Sequence, residues 1–218
     1  MGEINLMARY PVPKRNVEER GIEKTLEDIA IARKFGKEFF DGDRRHGYGG
    51  YSYHPRFWTD VVQDFINYYK LTENSKVLDV GCAKGFMLYD MKKALPGINV
   101  RGIDISDYAI ENAIEEMKPF LSVGNAKDLS EFKDKGFDLV ISITTIHNLP
   151  LDECKQALRE IQRVGKNAFI VVDAYRDNEE KGRIIKWILT GLTYMHVDEW
   201  KKLFDEVGYT GSYYWFIP

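Results

Sequence analysis

From Val77 onward, short β-branched runs alternate with stretches whose apolar residues recur every three or four positions, and this alternation leaves the chain few folds. Strands separated by amphipathic helices are joined by crossovers, which make them parallel and put helices on both faces of the sheet. The pattern predicts strands near 76–80, 99–104, 120–123, 137–143 and 167–173. Leu88, Met91 and Leu95 line the first intervening helix, and Ile110, Ala113, Ile114 and Met117 line the next, which Pro119 should stop. Cys154, Ala157, Leu158 and Ile161 make another. Ile184, Trp187 and Ile188 mark one more, and Trp200, Leu203, Phe204 and Val207 a last one closed by Gly208. The closing "GSYYWFIP" reads as an antiparallel final strand.

Ahead of the sheet, residues 1–21 are polar and carry Pro11 and Pro13, the mark of an extended arm. Ile22, Leu26, Ile29 and Ala30 then predict one amphipathic helix running to Phe39 or Phe40. A second helix shows Val62, Phe65, Ile66 and Tyr69 on one face, with Thr59 or Asp60 as N-cap. The expected fold is therefore α/β: a doubly wound, mostly parallel sheet with an antiparallel C-terminal strand and a helical N-terminal cap. Residues 1–73 hold the arm, cap helices and an aromatic loop, and 74–218 hold the core.

Composition narrows the partners. The chain has 218 residues, 44% hydrophobic and 30% charged, and a net charge of −3, without the positive field that phosphate backbones require. This argues for a small, neutral or polar partner and against nucleic acid. The apolar runs fall short of the roughly 20 residues that span a bilayer, so no membrane span is expected. Two cysteines, Cys82 and Cys154, and an N-terminus without an apolar signal core point to a reduced, cytoplasmic protein.

The stretch "VLDVGCAKGF", Val77 to Phe86, places Gly81 and Gly85 between the first core strand and its helix. Glycine reaches φ > 0 and lets a ligand lie where a Cβ would intrude. A dinucleotide turn has three glycines in G-x-G-x-x-G, because a pyrophosphate sits on the helix N-terminus. Here the pattern is D-x-G-x-x-x-G with Ala83 between the glycines, an incomplete phosphate cradle. The second strand ends in "GIDIS", with Asp104 at the carboxyl edge, where two acceptor oxygens match the vicinal hydroxyls of a ribose. In "GNAKDL", Asn125 and Asp128 can address an adenine edge, while Ile105 covers a ring face. These features suit an adenosyl ligand whose other arm is short and zwitterionic.

With "FDLVISITTIHNL" and "AFIVVDAY" following in order, the constellation resembles the class I S-adenosylmethionine-dependent methyltransferases over about residues 75–217. The resemblance implies S-adenosylmethionine as cofactor and S-adenosylhomocysteine as product. It carries the cofactor contacts onto Asp79, Gly81, Cys82, Ala83, Gly85, Asp104, Ile105, Asn125, Ala126 and Thr144. Two departures stand out: Ala83 replaces the common middle glycine, and one clear C-terminal strand stands for the usual pair. Asp79 reads as a brace for the turn and Cys82 as a small buried filler, neither as a catalyst.

Methyl transfer from a sulfonium neutralises a positive centre, so the protein aligns donor and acceptor and excludes water, with no metal required. A hydroxyl acceptor still needs a base, and sites in such sheets lie beyond the carboxyl ends of the strands. That selects His147, Asp173 and Tyr175 as catalytic candidates. His147 leads as base, with helix capping or packing on the cofactor as its alternative, and Asp173 is a second base or an acceptor for backbone amides. The loop "RRHGYGGYSYHPRFW" offers Tyr48, Tyr51, Tyr53 and Arg56 to the substrate as a lid, or packs its tyrosines under the first helices. Asn148, Tyr194 and His196 complete the expected substrate wall. The absence of N/D-P-P-Y/F/W, where "TIHN" stands, argues against exocyclic-amine methylation. A small-molecule oxygen acceptor, such as a sugar or natural-product ring, is the expectation. A non-catalytic cofactor-binding regulator and an NAD-dependent oxidoreductase stay open, as does the oligomeric state.

Overall fold

Val77, Leu139, Ile141, Phe169 and Val171 face one side of the sheet, and Leu78, Val80, Val140, Ile170 and Val172 the other, the period of two that strands impose. The computed structural model describes residues 2–11 and 16–218. Its strands are β1 Gly2–Glu3, β2 Lys76–Val80, β3 Asn99–Asp104, β4 Leu121–Val123, β5 Phe137–Ile143, β6 Gly165–Tyr175, β7 Met195–His196 and β8 Ser212–Phe216. They lie in the order β1-β8-β6-β5-β2-β3-β4, with β7 beside the end of β6.

Every pairing among the described residues is parallel. The C-terminal strand is thus parallel to β6, in place of the antiparallel strand expected from sequence. The helix Val197–Val207 lies between β6 and β8, and a strand reached through a crossover helix returns in the same direction, whereas a hairpin would reverse it. The order turns back at β2 and β5, opening the crevice in which ligands of such sheets bind.

The helices are α1 Val17–Glu23, α2 Leu26–Ala32, α3 Lys37–Asp41, α4 Pro55–Tyr69, α5 Phe86–Ala94, α6 Asp107–Glu111, α7 Leu151–Val164, α8 Asn178–Trp187 and α9 Val197–Val207. Val61, Val62 and Phe65 of α4 and Met87, Leu88 and Met91 of α5 cover one face, while Cys154, Leu158 and Ile161 of α7 and Trp200 and Phe204 of α9 cover the other. Burying each such side chain contributes about 1.5–3 kcal/mol.

Three local expectations change. The single helix expected from Ile22 is broken into α1–α3, because Thr25 and Asp28 form a capping box that restarts the chain at α2. Ile22 and Leu26 are left 84% and 86% exposed, so they build no buried face. Helix α4 starts earlier than Thr59: His54 is its N-cap, and Pro55 fits the first helical position, which needs no N–H donor. The helix expected across Ile110–Met117 is α6 followed by a 3-10 turn, Glu115–Phe120, that takes Pro119 inside it, although Ala113 and Met117 are buried as their spacing implied. In the arm, β1 joins β8 and Arg9 donates to Asp64 at 2.6 and 2.8 Å, laying this segment along α4. Pro13 lies outside the described residues. No helix among them is long and apolar enough to cross a membrane.

Candidate active site

A cavity of about 960 Å³ opens at the carboxyl ends of the strands. Its floor is the turn after β2. The amides of Gly81 and Cys82 both donate to the Ile103 carbonyl, at 2.7 and 3.0 Å, which sews the turn to β3. Gly81 has φ +88°, and a Cβ there would sit 2.6 Å from the Cβ of Thr145. Only glycine lets Thr145 pack that close to the turn. Gly85, at φ +76°, heads α5 and packs under the turn without lining the cavity. Ala83 is also left-handed, at φ +49°, so its methyl carries backbone strain as well as bulk.

Asp104 stands where the ribose acid was expected. One carboxylate oxygen accepts the Ala83 N–H at 2.8 Å and the other the Ser106 N–H at 2.9 Å, leaving lone pairs for hydroxyl donors. Burial raises its pKa, partly opposed by those amides. Asp79 is buried beside it, and its carboxyl is pushed up to about 7 by burial and then by the charge of Asp104. It receives no hydrogen bond from the described residues. Two buried acids on one cavity floor call for a partner with hydroxyl donors and a positive charge. Ile105 is 52% exposed at the rim, bare apolar surface for a flat ring, with Ala126 alongside. The Asn125 carbonyl oxygen accepts the Lys127 N–H at 3.1 Å, which leaves its NH₂ as a donor. Asp128 is exposed and turned onto the Ser130 N–H, away from the cavity.

At the ends of β5 and β6, Thr144 holds φ +51°, a strained conformation for a β-branched residue. His147 and Asp173 are both buried on the cavity wall, with His147 Nε2 3.5 Å from Asp173 Oδ2. The Asp173 N–H donates to His147 Nδ1 at 3.2 Å. Burial pushes the imidazole down to about 3 and the Asp173 carboxyl up to about 7. The side-chain oxygen of Asn148, also on this wall, is buried with no partner among the described residues.

A family model described as a methyltransferase domain matches residues 71–208. The chain belongs to the class I methyltransferase family. An uncharacterised protein of Haemophilus influenzae is 28% identical over 154 residues, 63% of this chain and 59% of that one. A human mitochondrial arginine-hydroxylase is 29% identical over 97 residues, 44% of this chain and 27% of that one. The chain thus spans 59% and 27% of these curated relatives' lengths. The solved structure of a SAM-dependent methyltransferase from Archaeoglobus fulgidus shares the fold, with a TM-score of 0.54 at 21% identity over 69% of this chain and 66% of that one.

The cofactor of this methyltransferase is S-adenosylmethionine. The residues present suit that group: Asp104 has acceptor lone pairs that would take the ribose hydroxyls, the buried Asp79 would face the ammonium, and Ile105 and Asn125 would meet the base. The aromatic loop closes over this floor. Tyr51 stacks on Phe86, the first residue of α5, at 4.9 Å, and Tyr48 packs on Tyr51 at 4.4 Å. Lys84 was not legible as a site residue, yet it fastens the loop: its buried ammonium donates to Asp41 at 2.6 Å and to the Tyr51 carbonyl at 2.8 Å. Asp41 also accepts the Tyr51 N–H at 2.9 Å and the Tyr108 hydroxyl at 2.7 Å. A lysine between two turn glycines was the available signal; Asp41 and Tyr108 carried none.

Besides Gly85 and Asp128, the expected residues Tyr53, Arg56, Tyr175, Tyr194 and His196 lie outside the cavity lining. Tyr53 donates to the buried Asp90, which also takes the Thr59 hydroxyl, so it serves the outer side of α5. Arg56 lies exposed over the ring of Phe57. β7 pairs with the last two residues of β6, neither Tyr194 nor His196 reaches the cavity wall, and His196 caps α9. Tyr175 packs edge-on against that imidazole at 5.8 Å. Trp187 and Ile188, named above only for their helical spacing, do line the cavity.

Proposed function

We propose that this methyltransferase methylates an oxygen of a small molecule, of sugar or natural-product type, with Asp173 as the general base. The observation that carries the reading is the buried Asp173 carboxyl on the acceptor side of the cavity, pushed up to about 7 by burial. A base poised near neutral pH combines the ionised form with useful basicity. Bound S-adenosylmethionine supplies an electrophilic methyl group on its sulfonium. Asp173 then has one task, to take the proton of the acceptor hydroxyl as its oxygen becomes nucleophilic.

His147 becomes the positioning residue. The Asp173 N–H donates to Nδ1, which assigns the ring proton to Nε2, facing Asp173 Oδ2 at 3.5 Å. Its basic lone pair is engaged and its pKa is about 3, so it stays neutral and orients the carboxyl. Asn148, Tyr48 and Tyr51 contact the acceptor in this reading, and residues 1–73 act as the cap that excludes water over the 74–218 core. Buried free thiols at Cys82 and Cys154 support a reducing, cytoplasmic setting. A second reading, a cofactor-binding fold turned to other chemistry or to none, is favoured by the human relative named as a hydroxylase.

The test is a screen of hydroxylated acceptors for S-adenosylhomocysteine release by wild type and Asp173→Asn. The variant should lose about 100-fold or more in turnover, with its affinity for S-adenosylhomocysteine unchanged. Retained turnover would remove Asp173 as base, and transfer to amines or thiols alone would overturn the oxygen acceptor.

A further inference from the structure

The β6–β8 half of the cavity carries cationic groups that the methyl-transfer reading leaves unused. Arg20 of α1 and Arg183 of α8, two helices packed on each other, line the cavity there, and Arg44 of the aromatic loop lines the same cavity. Arg20 is held flat, with its Nε donating to the Trp187 carbonyl at 2.9 Å and its guanidinium 4.6 Å above the Trp187 ring. It has no carboxylate partner among the described residues. Burial, and then the charge of Arg44, lowers its pKa to about 10, so the two cations sense each other. Arg44 donates to the Gly47 carbonyl and likewise lacks a carboxylate. The buried Nε of Arg183 has no partner among the described residues, and its Nη1 lies 3.9 Å from Glu179. Glu180 on the same wall is occupied, accepting the Arg176 N–H at 2.7 Å and facing its guanidinium at 3.5 Å.

Each guanidinium carries five N–H donors, and the carbonyls that Arg20 and Arg44 reach and the distant Glu179 beside Arg183 engage only part of them; an anion with two oxygens takes up the rest by bidentate pairing. We propose that the methyl acceptor is an anion, a carboxylate- or phosphate-bearing small molecule, whose charged group is held by Arg20, Arg44 and Arg183. This rests on the reading of the β6–β8 half as the acceptor side. The cofactor's own carboxylate is the other source of such an anion. Strand order argues for the acceptor: β6 and β8 lie two and three strands from β2, roughly 10 and 14 Å at about 4.8 Å per strand, whereas the glycine turn and Asp104 follow β2 and β3.

The experiment is calorimetric titration in two stages, on wild type and on Arg20→Gln, Arg44→Gln and Arg183→Gln. The first stage measures S-adenosylhomocysteine. The second, on protein saturated with it, measures benzoate, phenyl phosphate and the neutral benzamide. Wild type should bind at least one anion about 10-fold or more tighter than benzamide, and each variant should lose about 10-fold of that preference with S-adenosylhomocysteine affinity unchanged. Arg44 is exposed in a loop, so its variant keeps the test open if Arg20→Gln does not fold. Equal binding of anions and benzamide would overturn the proposal while leaving the methyltransferase reading intact. Loss of S-adenosylhomocysteine affinity in the variants would assign the arginines to the cofactor's carboxylate and overturn it too. Failure of wild type to bind S-adenosylhomocysteine would sink the underlying reading itself.

Discussion

Asp173 and His147 are neighbours whose titrations run in opposite senses. The carboxyl ionises near its ordinary 3.8 in the unfolded chain and near 7 in the folded one, so the folded state holds its proton more tightly. Its contribution to stability is full below about 4 and is lost as pH rises through about 7. The imidazole, at 6.5 unfolded and about 3 folded, must shed its proton to fold, so its contribution grows with pH across that interval. Asp173→Asn removes only the first effect. Its stability relative to wild type should rise between pH 4 and 7 by an amount on the order of 2–4 kcal/mol, read from urea unfolding at several pH values. A pH-independent difference would show that the carboxyl titrates as in an unfolded chain. Ala83 allows a simpler test. Its left-handed φ of +49° is strained for alanine, so Ala83→Gly should gain about 0.5–1 kcal/mol after the added flexibility of the unfolded chain. An unchanged urea midpoint would mean the turn relaxes around the methyl.

At the scale of elements, the contact that decides access is the latch between the aromatic loop and the glycine turn. Lys84 joins Asp41 and the Tyr51 carbonyl in a buried cluster, while Tyr51 stacks on the first residue of α5. A charge-assisted hydrogen bond contributes about 1.5–3 kcal/mol. Lys84→Met should therefore raise the open population roughly 10-fold or more, seen as faster proteolysis within 42–54. Unchanged cutting would assign loop closure to aromatic stacking alone. The same latch explains why so many tyrosines crowd a glycine-rich loop: some seal the cavity, while Tyr53 anchors the loop to Asp90 on α5.

For the whole molecule, strand order does not distinguish cofactors. The run β4-β3-β2-β5-β6-β8 is also the order of dinucleotide-binding sheets, and the all-parallel C-terminal strand brings the chain closer to that topology than the sequence implied. The turn separates the two ligands, with a pair of buried acids and no third glycine. S-adenosylhomocysteine at one hundred times its dissociation constant should add about 2.7 kcal/mol and raise the thermal midpoint by roughly 5–10 °C, with no shift from NAD. A shift with NAD alone would reverse the assignment of the turn.

Much of this fold was legible because its signals are local. Period-two runs at Val77–Val80 and Phe137–Ile143, the spacing of Cys154, Ala157, Leu158 and Ile161, and Gly81 with Asp104 each follow from a few neighbouring residues. The direction of β8 was not, because it depends on whether a helix or a hairpin precedes it, and both leave the same apolar strand in the sequence. Nor was the contact of His147 with Asp173, because it rests on an N–H donated from β6 to an imidazole 26 residues earlier. Lys84 with Asp41, and Arg20 with Trp187, meet only once the cap closes on the sheet. The sequence by itself determined the parallel sheet and the glycine turn after its first core strand, since backbone periodicity and glycine's freedom act at short range. Tertiary structure decided which residues line the cavity and which turn away from it, since packing and burial set those across the whole chain.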